Sequence, residues 1–421
     1  MNQQKSYALP IAMMFALFFM VSFVTGLPSP MGVIVAKQFG ASNFESQLGF
    51  LANFIAYAFM GIPAGIMLKK YGYKKTALSA IAVGFVGVGV QYFSGVAESF
   101  TVYLAGAFIC GFSMCMLNTV VNPMLNTLGG GGNKGNQLIQ FGGSINSIAA
   151  TITPMLVGYL MGAAAGRTIE KANPALFLAM GIFAVAFVVL SFVAIPEPHM
   201  ESASDRKVKQ SHSPLSFRHF VLGAIAIFIY VGIEIGIPST ANLYMTASTS
   251  AANPGLGIDA STAGSIVGLY WLLMMVGRLV GASIGAKVSS KVMLISVSAA
   301  GLFFVLMAIL SPLTSTITIP VLLTQVPISI FYLILCGLCT SIMWGGIFNL
   351  AVEGLGKYTA SAAGIFMVMV CGGGIVPLIQ GFVSDKIGYM GSYWVMFACL
   401  AYMLFYALVG CKNVNKDIPV E

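Results

Sequence analysis

One acidic and one basic residue lie within long apolar stretches of this chain, where ionisable side chains are rare. Glu234 is in the middle of the stretch 219–246, and Arg278 is near the end of the stretch 260–286. If these stretches cross a membrane, each charge is unfavourable by about 2.5 to 3.5 kcal/mol and should face a cavity. A carboxylate there can carry a proton or bind a sodium ion, which predicts a cation-coupling role for Glu234. The alternative is a neutral hydrogen bond between helices.

The position of Arg278 allows two roles. It precedes Lys287 by about nine residues, so it lies near one end of its stretch, where a long basic side chain can reach the polar boundary. Arg278 is therefore predicted to be either a gate or conformational latch, or an anchor for its helix. It could also pair with Glu234, and the spacing alone leaves that pairing open.

Amide and hydroxyl side chains recur at helical spacing in the first half of the chain. Asn118 and Asn122 are four residues apart and share one helix face. A second set is spaced by three and four residues and forms a single polar stripe, which consists of Gln137, Gln140, Ser144, Ser147 and Thr151. The stripe is predicted to line a cavity with Asn146 nearby, because facing lipid would be unfavourable. The alternative is helix packing held together by hydroxyl groups.

The second half of the chain adds an amide and several aromatic rings. Asn349 occupies a place that corresponds to Asn122, and the candidate stacking rings are Tyr230, Tyr270, Trp271 and Trp344. Neutral sugars are bound by amides and hydroxyls around their OH groups and by an aromatic face against their C–H side. These residues are therefore predicted to bind a neutral sugar, although each ring taken singly also fits packing or a membrane-interface position.

The elements that position these residues are membrane helices. The 421-residue chain is 58% hydrophobic and 8% charged, and stretches such as 7–35 and 175–195 carry no charge. A helix of about 20 apolar residues crosses the hydrocarbon core. Twelve spans are predicted, at residues 8–36, 46–68, 76–94, 99–127, 136–163, 173–195, 219–246, 260–286, 291–311, 321–352, 358–383 and 391–411. The fold class is all-α integral membrane, with lipid as the surrounding partner.

Three further observations refine this assignment. Ser42 followed by Glu45 forms a capping box that opens the second span. The net charge of +8 is spread over loops, so no nucleic-acid partner is predicted. The seven cysteines lie in or beside apolar spans, and no metal or other cofactor site is predicted.

The distribution of Lys and Arg predicts the orientation. An even number of spans places both termini on one side of the membrane. Of the twenty basic residues, fifteen fall on that side, four fall on the other side, and Arg278 lies inside a span. Positive charge collects in cytoplasmic loops. Both termini are therefore predicted to be cytoplasmic, with the chain in a bacterial inner membrane and the first span retained rather than cleaved.

The two halves of the chain match at corresponding places. The matching pairs are residues 26–29 with 236–239, 61–65 with 277–281, Asn122 with Asn349, and Pro154 with Pro377. Six-helix halves in the same orientation indicate parallel repeats that rock around a substrate site near the middle of the membrane. The prediction is a monomeric secondary transporter, with a bundle at 1–195, a cytoplasmic connector at 196–218 and a second bundle at 219–421.

The loop at residues 65–75 resembles the loop signature of the major facilitator superfamily. That signature has a glycine, an acidic residue, a basic residue, a glycine and further basic residues, and here Lys69 stands in the acidic position. The resemblance implies the major facilitator fold, with two six-helix bundles. It also implies a gating or structural role for Lys69, Lys70 and Lys74.

A narrower resemblance covers both halves of the chain. Residues 122–123, 146–154, 230–234 and 276–278 are similar to motifs of the fucose, galactose and glucose proton symporters. This implies import of a neutral hexose-type sugar with a proton or a sodium ion. The typical member has acids where this chain has Ser29 and Asn118, and a glutamine where it has Gly143, so a changed sugar or a changed coupling is expected.

Three other functions are weighed against coupled sugar import. An uncoupled sugar facilitator would explain the two missing acids, and a drug exporter of the same fold is disfavoured by the amide-rich spans. An enzyme is not expected, because the spans contain no Ser/His/Asp cluster and no phosphate-binding loop.

Overall fold

The computed structural model describes residues 7–128, 132–160, 169–197, 213–284, 288–312, 314–319, 322–355, 358–415 and 418. The α-helices in these ranges are α1 (Ala8–Gly26), α2 (Pro28–Gln38), α3 (Asn43–Ser46), α4 (Leu48–Val96), α5 (Phe100–Leu128), α6 (Gly132–Leu160), α7 (Asn173–Phe192), α8 (Arg218–Thr246), α9 (Ala260–Ile284), α10 (Ser290–Leu310), α11 (Ile328–Thr340), α12 (Met343–Val352), α13 (Thr359–Met369) and α14 (Gly372–Phe405). Strands β1 (Thr316–Ile319) and β2 (Thr324–Pro327) form an antiparallel hairpin.

The helices account for the twelve predicted spans. Ten segments within the described residues are long and apolar enough to cross a membrane, and one of them, Gly364–Gly410, has 47 residues. Gly388 divides that segment into two spans, because its φ of 84° interrupts the helix. α6 is more polar than these ten segments, but its 29 residues are long enough to cross the membrane, and it gives the twelfth span.

The structure corrects the start of the tenth predicted span. The sequence predicts a helix from residue 321, whereas Thr324–Pro327 form strand β2 of the hairpin and α11 begins at Ile328. Thr and Ile alternate through β1, and β2 contains Thr324 and Val326; such β-branched residues favour strands. Because the sequence stays apolar from the hairpin into α11, hydropathy alone does not indicate where strand changes to helix.

Other predicted spans are interrupted without being displaced. The first consists of α1 and α2, which meet at Leu27 before Pro28, and the eleventh passes from α13 to α14. The predicted capping box forms, since Ser42 Oγ accepts the N–H of Glu45 and Glu45 Oε2 accepts the N–H of Ser42. It caps the short helix α3, however, and not α4, which forms the second span and whose N-cap Gln47 makes no side-chain cap bond.

The two membrane faces are distinguished by the loops that meet there. On the face that carries both described chain ends, here named the terminal face, the N–H of Arg218 donates to Asn415 Oδ1 at 2.9 Å. On the other face, here named the opposite face, Asn253 Nδ2 donates to the carbonyl oxygen of Ser384 at 3.1 Å. Each pair joins loops that are distant in sequence.

The two six-helix bundles meet along two seams. α6 packs against α9 along the first seam. Along the second, α4 packs against α13 and α14, and α3 packs against α14. Glycines allow these close approaches: a Cβ on Gly264 would lie 2.3 Å from the carbonyl oxygen of Pro154, and one on Gly374 would lie 2.6 Å from Leu51 Cα. Small residues let membrane helices pack closely.

Candidate functional site

A cavity of about 620 Å³ lies between the two bundles. Its wall includes Gly281, Ser290 and Asn349, so it extends toward the terminal face. Toward the opposite face it ends near Phe50 and Ser239, beyond which the bundles are in contact. The cavity is therefore closed at the opposite face.

The structure places the four predicted asparagines in the wall of this cavity, and three of them have fixed side-chain amides. Asn118 Nδ2 donates to the Tyr57 hydroxyl at 3.0 Å, and Asn122 Nδ2 donates to the carbonyl oxygen of Asn118 at 3.0 Å. Asn146 Nδ2 donates to the carbonyl oxygen of Phe18 at 3.3 Å. Asn349 completes the set from α12. The two bundles thus present amides to one space.

Three of the four candidate rings also lie in the wall. Tyr230, Trp271 and Trp344 line the cavity, and the rings of Tyr230 and Trp344 are 6.2 Å apart. Tyr270 is buried behind the wall, where its hydroxyl donates to the carbonyl oxygen of Glu234 at 3.3 Å. Its ring supports Trp271 edge to face at 5.2 Å, so it positions another ring.

Glu234 and Arg278 form an ion pair in the cavity wall. Arg278 Nη2 lies 3.4 Å from Glu234 Oε1, and each side chain is 16% exposed. Arg278 Nη1 also donates to the carbonyl oxygen of Gly143 at 2.9 Å and to Ser147 Oγ at 2.7 Å. The pairing that the sequence left open is present, and Arg278 connects α8 and α9 with α6 of the other bundle.

Among the residues of the predicted polar stripe of α6 whose side chains the structure describes, none lines the cavity. The wall is formed by Gly143, Asn146, Ala150 and Pro154 instead. Ser147 Oγ donates to the carbonyl oxygen of Gly143, and the Thr151 hydroxyl donates to that of Ser147. Serine and threonine can satisfy their hydroxyl groups on the preceding helical turn, so they do not need an aqueous cavity. The alternative of helix packing with hydroxyl bonds describes this face better.

The remaining predicted residues lie elsewhere. The side chains of Gln137, Gln140 and Lys69 are outside the part of the chain that the structure describes. Lys70 Nζ lies 5.1 Å from the centre of the Tyr71 ring, and Lys74 Nζ donates to the carbonyl oxygen of Ser191 at 2.8 Å. These two lysines are at the terminal face and do not line the cavity.

Several wall residues were missed by sequence reasoning. The cavity is also lined by Phe18, Ser22, Thr25, Phe50, Phe54, Tyr57, Ser239 and Ser341. Tyr57 holds Asn118, yet nothing in its sequence neighbourhood separates it from a lipid-facing aromatic residue. Only the packing of α4 beside α5 reveals its position.

Comparisons with known proteins agree with this architecture. The sequence model of the Major Facilitator Superfamily matches residues 14–377. A glucose/galactose transporter of Brucella abortus (biovar 1, strain 9-941) is 29% identical over 98% of this chain and 96% of its own length. An L-fucose-proton symporter of Escherichia coli K12 is 23% identical over 92% of this chain and 89% of its own.

Solved structures show the same fold. A crystal structure of the transporter FucP in the outward conformation superposes with a TM-score of 0.68 at 20% identity, covering 96% of this chain and 99% of that one. A bacterial homologue of the lysosomal transporter Spinster, in an inward-facing conformation, gives 0.64 at 14% identity, covering 97% and 96%. Because the family model matches residues 14–377, which is most of this chain, the chain belongs to the Major Facilitator Superfamily.

Proposed function

We propose that this protein imports a neutral monosaccharide of the hexose type by alternating access, with a proton or sodium gradient as the driving force. The observation that carries the proposal is the cavity between the bundles, in which uncharged amides and aromatic rings surround one Glu–Arg ion pair. A charged solute would require more charge in the wall. The transporters of glucose, galactose and fucose among the relatives support the same substrate class.

In this proposal the amides bind the sugar hydroxyls and the rings cover its C–H face. Asn118, Asn122 and Asn146 approach from the first bundle, and Trp344 and Asn349 approach from the second. A sugar held by both bundles favours the state in which they enclose it, because both sets of contacts form only there. Gln137 and Gln140 remain proposed contacts from the terminal end of α6.

Glu234 is the proposed coupling group. Its carboxylate is balanced by Arg278, which also holds α6 through Gly143 and Ser147. A proton or sodium ion on Glu234 would weaken its attraction for Arg278 and so change the link between the bundles. Cation binding and bundle movement would then be coupled through one side chain.

The orientation and assembly are proposed on the charge distribution. With the terminal face cytoplasmic, the cavity extends toward the cytoplasm and the described state is inward-facing. We also propose a monomer in the bacterial inner membrane, with bundles at 1–195 and 219–421 joined by a cytoplasmic connector at 196–218. Lys69, Lys70 and Lys74 would act at the cytoplasmic gate.

The substitution Glu234→Gln tests the coupling. It should abolish sugar accumulation in proteoliposomes under an imposed pH or sodium gradient, while exchange of labelled sugar across the membrane continues. Glu170→Gln, which changes an exposed carboxylate near the opposite face, is the control and should leave both activities intact. Accumulation that survives Glu234→Gln would show that the coupling assignment is wrong.

Uncoupled facilitation is the second candidate, and it is favoured by the neutral Asn118 in the cavity wall. Uptake of a labelled monosaccharide panel with and without each gradient separates the two. Equal uptake in all conditions supports a facilitator, whereas a panel with no transported sugar removes both proposals and leaves the drug exporter.

A further inference from the structure

The loop motif at residues 65–73 has a second copy at residues 381–389. Both read as glycine, three other residues, a charged residue, lysine, one further residue, glycine and tyrosine; the charged residue is Lys69 in the first copy and Asp385 in the second. The backbone agrees, since Gly72 has φ 82° and ψ 176° and Gly388 has φ 84° and ψ 168°. Positive φ values of this kind favour glycine.

The two copies lie on different faces of the membrane. The first joins the second span to the third on the terminal face. The second joins the eleventh span to the twelfth on the opposite face, because the second and eleventh spans run in opposite directions. The motif that forms a loop on the terminal face in the first bundle is therefore repeated on the opposite face in the second bundle.

The second copy holds the two bundles together. The carboxylate of Asp385 accepts the backbone N–H of Asn43 at 2.8 Å and that of Phe44 at 2.9 Å. The Tyr389 hydroxyl donates to Asn43 Oδ1 at 2.9 Å, and Asn43 Nδ2 donates to Ser384 Oγ at 3.3 Å. Asn43 and Phe44 begin α3 in the first bundle, and the other three residues are in the second. Four hydrogen bonds thus cross the seam, two of them to an ionised acceptor.

Packing at the first glycine of each copy shows that the second copy contacts the other bundle and the first copy does not, among the described residues. A Cβ built on Gly381 would lie 2.7 Å from the carbonyl oxygen of Asn43, so the other bundle rests directly on this glycine. For a Cβ built on Gly65, no atom among the described residues lies within 4 Å. Glu197, which accepts the N–H of Lys74 at 2.9 Å beside the first copy, follows the sixth span at the start of the connector and is not part of the second bundle.

We propose that residues 381–389 form a latch that keeps the opposite face closed, and that Asp385 is the side chain on which it depends. The hydrogen bonds of Asp385 to α3 exist only while the bundles meet at this face, so they stabilise the closed state alone. Opening toward the opposite side requires that they break. The latch does not depend on which solute or ion is carried.

Spin labels on the opposite face test the latch directly. Ala97 in the first bundle and Thr249 in the second are exposed at this face, and the distance between labels there can be measured by electron resonance in lipid nanodiscs without any sugar. Asp385→Asn keeps the shape of the side chain and removes its charge. It should raise the ratio of open to closed molecules by about tenfold or more, because hydrogen bonds to ionised groups are the stronger ones.

A matched control separates the latch from local order of α3. Glu45→Gln alters the capping box of the same turn but touches no residue of the second bundle in the contacts described. It should leave the distance distribution unchanged. Tyr389→Phe, which removes one hydroxyl donor to Asn43, should shift it in the same direction as Asp385→Asn by a smaller factor.

The outcomes are decisive in either direction. A shift with Asp385→Asn and Tyr389→Phe but not with Glu45→Gln supports the latch. Identical distributions for Asp385→Asn and the parent protein, or an equal shift with Glu45→Gln, would overturn it. If Asp385→Asn does not fold, Tyr389→Phe decides alone. Failure of sugar transport in any variant leaves the result intact, since the measurement uses no substrate.

Discussion

A methyl group at position 264 would oppose closure of the bundles at the opposite face. The Cβ of Gly264→Ala would lie 2.3 Å from the carbonyl oxygen of Pro154, whereas ordinary contact begins at 3.4 Å, so α9 and α6 must separate by about 1.1 Å there. Overpacking of this kind costs about 1 to 3 kcal/mol. Because the clash exists only while this face is closed, the ratio of open to closed molecules should rise about 5- to 150-fold.

The measurement uses spin labels at Ala97 and Thr249 in nanodiscs. The seven native cysteines are buried or half-buried, so labelling is directed to the introduced sites. Gly181→Ala is the matched control, because a Cβ at this exposed glycine of α7 meets no atom within 4 Å among the described residues. If Gly264→Ala gives the same distances as Gly181→Ala, the bundles do not separate along the α6–α9 seam and the reasoning fails.

Four further substitutions test the site and its support. Tyr57→Phe removes the hydroxyl that holds Asn118 Nδ2, and calorimetry should show about tenfold weaker sugar binding; unchanged affinity would remove Asn118 from the site. Arg278→Gln and Glu234→Gln should each lower the midpoint of thermal unfolding in detergent, because each leaves one charge unpaired. The double variant should lower this midpoint by less than the sum of the two single decreases, and additive decreases would contradict the ion pair. Glu197→Gln should lower the same midpoint slightly, since its carboxylate accepts the backbone N–H groups of Tyr73 and Lys74 in the loop between the second and third spans. An unchanged midpoint would mean that the contact adds nothing to stability.

The membrane architecture could be predicted because its causes are local. Apolar runs of sufficient length, the capping box at Ser42 and glycines between spans each act through neighbouring residues, and the helices follow them closely. The exception is the hairpin before Ile328. There an apolar run changes from strand to helix without a polar break, so hydropathy could not place the boundary.

The polar face of α6 shows why the site was harder to predict. Spacing correctly placed Ser147 and Thr151 on one face, but it could not indicate which neighbour that face would meet. In the structure the hydroxyls bond within the helix and Arg278 approaches them from α9. A one-dimensional pattern defines a face, and its surroundings depend on the packing of other helices.

The sequence by itself determined the twelve spans, the lone embedded acid Glu234 and the lone embedded base Arg278, because each follows from residue type and distance along the chain. Only the tertiary structure decided that these two side chains meet, that Tyr57 stands beside Asn118, and that Asp385 reaches the first turn of α3. Those contacts join residues between 44 and 342 positions apart. Their geometry is set by how the two bundles close on each other, which local patterns do not encode.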